Sequence, residues 1–237
     1  RHPYGGKLVF TAFSGSHQDA IAKGMKWREE KQLHRWTVPY IPIDPKDISR
    51  TYDADVIRVN SQSGKGGIGY LLETTYGYIL PPKMREHFGY LCKGVSDVEH
   101  RELKVSDVYQ IFLAHYFNHN GKISVEKVHF TPTASAMEGY VTFNNDGKSV
   151  VIHADGNGSL DVISNALKQL TGTNYSLETY TEHSMQEEGS RSVAAAYIGI
   201  ADKDGKVYWG CGTNTDIIRA SAEALISAYN TMMNSKE

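Results

Sequence analysis

The feature that most constrains this chain is a pattern that occurs twice in its second half. In the first copy an apolar run at 150–152 ends in a glycine-asparagine-glycine turn at 156–158, and a helical pattern follows. In the second copy the run 207–209 ends in a glycine-rich segment at 210–214, which we interpret as a second turn before another helical pattern. Self-similarity of this kind indicates repeated supersecondary units.

Strand patterns precede both apolar runs. Residues 125–130 and 138–143 are rich in β-forming side chains, and the segment 144–147 reads Asn-Asn-Asp-Gly, which is typical of a hairpin turn. The second copy repeats this order with strand patterns at 176–185 and 193–201. The sequence therefore predicts two units of three strands and a helix. Helices covering one face of antiparallel sheets give an α+β fold.

The first half of the chain has a different organisation. Helical patterns cover 17–32 and 83–94, another helix begins near Ser106, and 56–60 alternates like a strand. The polar, glycine-containing segment at 118–121 breaks the last of these helices. We therefore expect small helical or mixed subdomains, a boundary near residue 120, and the repeated β-rich region after it.

Composition excludes several classes of function. The net charge of −2 and the absence of a basic patch argue against a nucleic-acid partner. No apolar run reaches the ~20 residues that a membrane span needs, and no signal peptide is visible. Two scattered cysteines, Cys92 and Cys211, are too few for a disulfide framework or a zinc cluster, so a reducing, cytoplasmic setting is expected. Because the chain opens on Arg1 rather than methionine, we also expect it to be a piece of a longer polypeptide.

The glycine-rich turns are the first candidates for chemistry. A turn at a helix start leaves backbone N–H groups at the positive end of the helix, where a carboxylate or a phosphate can bind. The alternative is that both turns are only connections in which glycine and asparagine supply the backbone conformation.

Two other motifs are weak. Residues 63–67 form a glycine-rich turn that fails the phosphate-loop pattern, because Lys65 is followed by glycine rather than serine or threonine. His115 and His119 have a spacing that suits zinc, but no third ligand is placed nearby, and a satisfied or solvated pair is the simpler interpretation.

His17 and Tyr52 are stronger candidates. His17 lies at a predicted helix start among small polar residues, and a histidine with a pKa near ~6.5 can act as a general acid or base. Tyr52 follows Arg50 closely and can donate a hydrogen bond to a substrate oxygen. The alternatives are a capping or surface histidine and a tyrosine that only packs.

Long motifs in the first half resemble a known family. The runs SGSHQDAI (14–21), VPYIPIDPKD (38–47) and RTYDADVIRVNSQSGKGG (50–67) are similar to the region that follows the catalytic barrel in the 2-isopropylmalate synthase family, and RHPYGG (1–6) to the end of the barrel region. The resemblance implies four parts: the tail of the barrel region at 1–13, linker subdomain I at 14–70, linker subdomain II at 71–119, and a leucine-binding allosteric and dimerisation domain at 120–237.

The resemblance also implies a function. Enzymes of this family condense acetyl-CoA with 3-methyl-2-oxobutanoate in leucine biosynthesis, use a divalent metal held in a TIM barrel, form homodimers and are inhibited by leucine. The metal ligands belong to the barrel, which is missing here, so this segment is expected to bind no cofactor and to lack synthase activity by itself.

Residue roles follow from the same resemblance. His17 and Tyr52 match the residues that the first linker subdomain contributes to the partner subunit's active site. The leucine pocket is expected to use the following residues: Gly156, Asn157, Gly158, Leu160, Leu177, Tyr180, Ser184, Ala194 and Ile217. Asp161 departs from the small apolar residue expected after Leu160, and it either recognises the ammonium group of the ligand or faces solvent.

Two alternatives stay open at the level of sequence. The region can be a dimerisation module without an effector site. It can also be the same segment of a sister alkylmalate or homocitrate-type synthase with another effector.

Overall fold

The computed structural model describes residues 3–6, 9–10, 12, 15–50, 65–118, 121–132, 136–185 and 192–235. The chain divides into two compact units, Arg1–Ile111 and Phe112–Glu237. Tyr52 and the predicted strand at 56–60 lie outside the described residues. The finer division into linker subdomains stays a prediction.

The first unit is helical. Its elements are α1 (Gly15–Glu30), a short 3₁₀ helix (Pro45–Ile48), α2 (Lys65–Tyr76), α3 (Pro82–Glu99) and α4 (Val105–Tyr116), which continues into the second unit. The helices predicted at 17–32, at 83–94 and from Ser106 are confirmed with shifted ends. The turn predicted at 63–67 is wrong from Lys65 onward, because those residues form the first turn of α2.

The second unit consists of two consecutive βββα units. The first has β1 (Ile123–Pro132), β2 (Met137–Asn145), β3 (Lys148–Gly156) and α5 (Ser159–Thr171). The second has β4 (Ser176–Ser184), β5 (Ala194–Ala201), β6 (Val207–Asn214) and α6 (Ile217–Asn234). Each set of strands forms an antiparallel sheet, in the orders β1-β2-β3 and β4-β5-β6. The predicted α+β fold with a repeated unit is confirmed.

The hairpin between β2 and β3 shows why the sequence folds this way locally. Asp146 and Gly147 have φ values of 52° and 80°, so both central residues adopt the left-handed conformation of the tight turns that match strand twist. The Asn144 side chain accepts a hydrogen bond from the Gly147 N–H at 2.8 Å. These contacts fix the register in which Asn145 pairs with Lys148.

Helices α5 and α6 supply one shared core with the two sheets. On α5 the buried apolar positions are Val162, Ile163, Ala166 and Leu167, which form one face at helical spacing. On α6 the buried face is wider and rich in small residues, including Ala220, Ala224 and Ala228. Small residues on both surfaces allow a helix to approach a strand closely.

This close approach corrects one prediction. The glycine-rich segment 210–214, predicted as a turn that starts a helix, lies entirely within β6. A Cβ added to Gly210 would be 2.1 Å from the Ala224 carbonyl oxygen, and one added to Gly212 would be 2.2 Å from that of Ala220. The glycines are therefore needed because α6 packs directly on the strand backbone. Helix α6 begins instead at Asp216, whose side chain accepts a hydrogen bond from the Ile218 N–H at 2.9 Å.

Both cysteines are buried as free thiols. Burial raises the pKa of the Cys92 thiol to about 12 and that of Cys211 well above its usual value. Since the thiolate is the reactive form, both side chains are expected to be inert at neutral pH and to serve as packing groups.

The described residues also bear on membranes and metals. None of their helices is long and apolar enough to cross a membrane. Among the same residues, no group of three or more histidine, cysteine, aspartate or glutamate side chains is arranged to hold a metal ion.

Candidate functional site

A small cavity lies where α5 and α6 begin, against the middle of β4. Its volume is about 210 Å³, and its lining residues are Ser159, Leu160, Ile163, Tyr180, Glu182, Ile217, Ile218 and Ser221. Pockets for drug-sized ligands measure about 300–1,000 Å³, so this cavity suits a smaller molecule.

One wall of the cavity is apolar. Leu160 and Ile163 are three residues apart on α5 and therefore lie on the same side of that helix. Ile217 and Ile218 come from the first turn of α6. This wall can bury a branched aliphatic group, which contributes roughly 1.5–3 kcal/mol for a side chain of that size.

The start of α5 differs from the start of α6. The N-cap residue of α5 is Gly158, which is extended and has no side chain to cap the helix, whereas Asp216 caps α6. Backbone N–H groups in the first turn of α5 therefore receive no hydrogen bond from an N-cap side chain. The positive end of the helix at this position favours an anion.

Asp161 has a structural partner near the same turn. Its carboxylate accepts hydrogen bonds from the Asn157 backbone N–H at 2.9 Å and from the Asn157 side chain at 3.4 Å. Asp161 does not line the cavity. It therefore stabilises the connection between β3 and α5.

The opposite wall is polar. The Tyr180 hydroxyl donates a hydrogen bond to Glu182 and lies 3.0 Å from the Ser221 Oγ, which in turn donates to the Ile217 carbonyl at 2.8 Å. Burial raises the pKa of Tyr180, and its hydrogen bond to Glu182 raises the pKa further. Tyr180 is therefore neutral at physiological pH, and its hydroxyl can donate the hydrogen bond to Glu182.

The nine residues predicted for the pocket fall into three groups. Leu160, Tyr180 and Ile217 line the cavity. Gly156, Asn157 and Gly158 form the connection immediately before it, and a Cβ on Gly156 would be 2.7 Å from the Val162 nitrogen. Leu177, Ser184 and Ala194 do not line it.

The residues of this third group lie at the two ends of β4 or pair with one of those ends. Leu177 lies at the beginning of β4 and is 42% exposed. Ser184 lies at the other end of β4, where its hydroxyl is hydrogen-bonded to that of Ser192, and Ala194 pairs with it across the sheet. The cavity occupies only the stretch of β4 between these ends.

Sequence reasoning missed five lining residues: Ser159, Ile163, Glu182, Ile218 and Ser221. The spacing of residues in the sequence could have identified three of the five. Ile163 and Ser221 are three and four residues beyond Leu160 and Ile217 on the same helices, and Glu182 is two residues beyond Tyr180 on the same strand. Periodicity from the predicted residues would have found these three.

His17 and Tyr52 were predicted for a different site. The His17 side chain is exposed on α1, where its ring stacks on Tyr40 with a centroid distance of 4.0 Å. Tyr52 lies outside the described residues. Their predicted contribution to a partner subunit's active site stays a prediction.

Comparison with protein-family models places this architecture in a class. Residues 102–233 match the model described as the LeuA allosteric (dimerisation) domain. Residues 7–73 match the model described as alpha-isopropylmalate synthase, post-catalytic domain-like. The βββα pair is thus an allosteric, dimerisation domain preceded by a post-catalytic domain.

Similar curated proteins agree with these matches. The 2-isopropylmalate synthase of Desulfitobacterium hafniense is 52% identical over 233 residues, which are 98% of this chain and 42% of that protein. The 2-isopropylmalate synthases of Helicobacter hepaticus and Mesorhizobium japonicum are 46% and 41% identical over 98% and 100% of the chain. The chain belongs to the 2-isopropylmalate synthase family and spans less than half the length of these relatives.

Proposed function

We propose that this chain is the regulatory part of a 2-isopropylmalate synthase and that it binds leucine in the cavity between α5 and α6. The observation that carries the proposal is the composition of the cavity. An apolar wall, a helix start without a side-chain cap and a single carboxylate surround a space of about 210 Å³. Leucine has one matching group for each: an isobutyl group, a carboxylate and an ammonium.

The expected energetics support a small aliphatic amino acid. The carboxylate at the start of α5 gains about 0.3–2 kcal/mol from the helix dipole. The isobutyl group packs against Leu160, Ile163 and Ile217. A ligand one methylene shorter loses about 1–3 kcal/mol, so valine is expected to bind more weakly but not to be rejected.

The same proposal extends to the whole enzyme. The parent protein condenses acetyl-CoA with 3-methyl-2-oxobutanoate on a barrel that holds a divalent metal, and leucine inhibits it by feedback. It works as a homodimer in the reducing environment of the cytoplasm. His17 and Tyr52 reach the active site of the partner subunit, where His17 assists proton transfer and Tyr52 organises the site.

Calorimetric titration with branched-chain amino acids tests the proposal. Leucine is expected to bind saturably, with valine roughly 10- to 150-fold weaker because of the missing methylene. Isoleucine, whose branch lies closer to the backbone, is expected to raise the melting temperature less than leucine at equal concentration. No heat and no thermal shift at millimolar leucine would support a dimerisation module without an effector. A preference for another ligand would support a sister synthase.

Matched variants of α5 locate the binding site. Leu160→Ala is expected to weaken leucine binding about 10-fold or more because it removes part of the apolar wall. Leu170→Ala is the control, since Leu170 also packs partly buried against the core but does not line the cavity. Equal affinities of the two variants would place the binding site elsewhere.

A further inference from the structure

Glu182 is the one charged side chain among the eight described residues that line the cavity. It stands on β4, opposite the apolar wall formed by α5 and α6. Within the described part of the chain, no lysine or arginine forms an ion pair with it. The lining thus offers a carboxylate that lacks a cationic partner there.

The hydrogen bonds of Glu182 hold it in place. Tyr180 donates its hydroxyl proton to the Glu182 carboxylate and also lies 3.0 Å from the Ser221 Oγ on α6. A carboxylate has two oxygens and about four acceptor positions, so one tyrosine hydroxyl leaves most of its capacity unused. The remaining acceptor positions suit a donor with several protons, such as an ammonium group.

The other acidic candidate is bonded to the connection before α5. Asp161 accepts two hydrogen bonds from Asn157 and lies outside the cavity lining. Of these two carboxylates, only Glu182 lines the space in which a ligand would sit.

We propose that Glu182 is the ammonium receptor of this site, and that it makes the site select α-amino acids over the 2-keto acids of the same carbon skeleton. This inference rests on the proposed function, because it assumes that a small branched ligand occupies the cavity. A keto acid would bring a carbonyl oxygen, which has no proton to donate, towards the carboxylate of Glu182. It would also cover the carboxylate of Glu182 without supplying a donor to its remaining acceptor positions, and a carboxylate that loses water without gaining a partner opposes binding.

Tyr180 acts as a positioning residue for this receptor. Because its hydroxyl contacts both Glu182 and Ser221, it connects the carboxylate on β4 to Ser221 on α6. Loss of the hydroxyl is expected to weaken binding less than loss of the charge, by roughly 3- to 10-fold, since it removes a bond that orients Glu182 but leaves the carboxylate itself in place.

The test is a calorimetric comparison of leucine with 4-methyl-2-oxopentanoate, which has the leucine skeleton and a carbonyl in place of the ammonium. The unsubstituted chain is expected to bind leucine at least about 10-fold more tightly than the keto acid. Glu182→Gln is expected to weaken leucine binding roughly 10- to 150-fold and to reduce the ratio of the two affinities. The leucine affinity of Tyr180→Phe is expected to lie between those of the unsubstituted chain and Glu182→Gln.

Glu178→Gln is the matched control. Glu178 lies on the same strand with the same charge, but its side chain accepts a hydrogen bond from Ser176 and does not line the cavity. Its replacement is expected to leave both affinities unchanged. Both glutamates are exposed in the free chain, so neither replacement disturbs the core.

The outcomes separate this inference from the proposed function. Leucine binding with no preference over the keto acid, or a preference that Glu182→Gln leaves intact, overturns the role of Glu182 alone. Absence of leucine binding to the unsubstituted chain overturns the proposed function and the role of Glu182 with it.

Discussion

Replacing Gly210 with alanine is expected to lower the free energy of unfolding of the second unit by about 3 kcal/mol or more. The new Cβ would be 2.1 Å from the Ala224 carbonyl oxygen and 2.3 Å from the Ala228 nitrogen. Both are backbone atoms of α6, a helix that is buried over much of its length, so no flexible side chain can yield. The helix must move away from β6, and it then loses contacts along the whole interface. Urea unfolding monitored by circular dichroism measures this loss.

Gly94→Ala is the control for this prediction. Gly94 lies within α3, and a Cβ added there would have nothing within 4 Å. Alanine is favoured over glycine in a helix by up to about 1 kcal/mol, so this variant is expected to be as stable as the parent or more stable. If Gly210→Ala unfolded at the same urea concentration as Gly94→Ala, the close packing of α6 on β6 would be contradicted.

Replacing Asn230 with leucine is expected to destabilise the second unit by about 2–4 kcal/mol. Asn230 is 3% exposed, and its side-chain nitrogen donates to the carbonyls of Asn118 and Ile123 at 2.8 and 2.9 Å. Leucine has a similar shape but leaves both acceptors without this donor. The chain that enters the first βββα unit would lose two of its hydrogen bonds to α6, those at Asn118 and Ile123, and hydrogen exchange should accelerate around Ile123.

Asn165→Leu is the matched change for this second prediction. The Asn165 side chain also donates to a carbonyl, that of Asp155 at 2.9 Å, but in an exposed position where water can replace it. Asn165→Leu is expected to lower the free energy of unfolding by less than about 1 kcal/mol. Equal effects of the two substitutions would show that the Asn230 hydrogen bonds contribute nothing beyond an ordinary surface bond.

The repeated fold could be predicted because its signals are local. Strand alternation, helical spacing and the Asn-Asn-Asp-Gly turn each act within a few residues, and the structure has each of them in place. The segment 210–214 could not be read in this way. Glycine and asparagine are typical of turns, and only the packing of α6, which is a tertiary contact, explains why Gly210 and Gly212 stand inside a strand.

The prediction of the candidate site was incomplete for a related reason, since it too depends on tertiary packing. A register shift between Leu177 and Thr179 places Leu177 and Tyr180 on the same face of β4, because their partners, Ile200 and Ile198, are two residues apart. Residues on one face are not equally close to the helix starts, however. The sequence indicates which face of a strand a residue lies on. Which part of that face meets α5 and α6 depends on how the two βββα units pack against each other.

A crystal structure of the chain grown with leucine would show whether the cavity is the effector site. We expect one leucine in the cavity, with its carboxylate at the start of α5 and its isobutyl group against Leu160, Ile163 and Ile217. An empty cavity at saturating leucine, or leucine bound away from these residues, would contradict it.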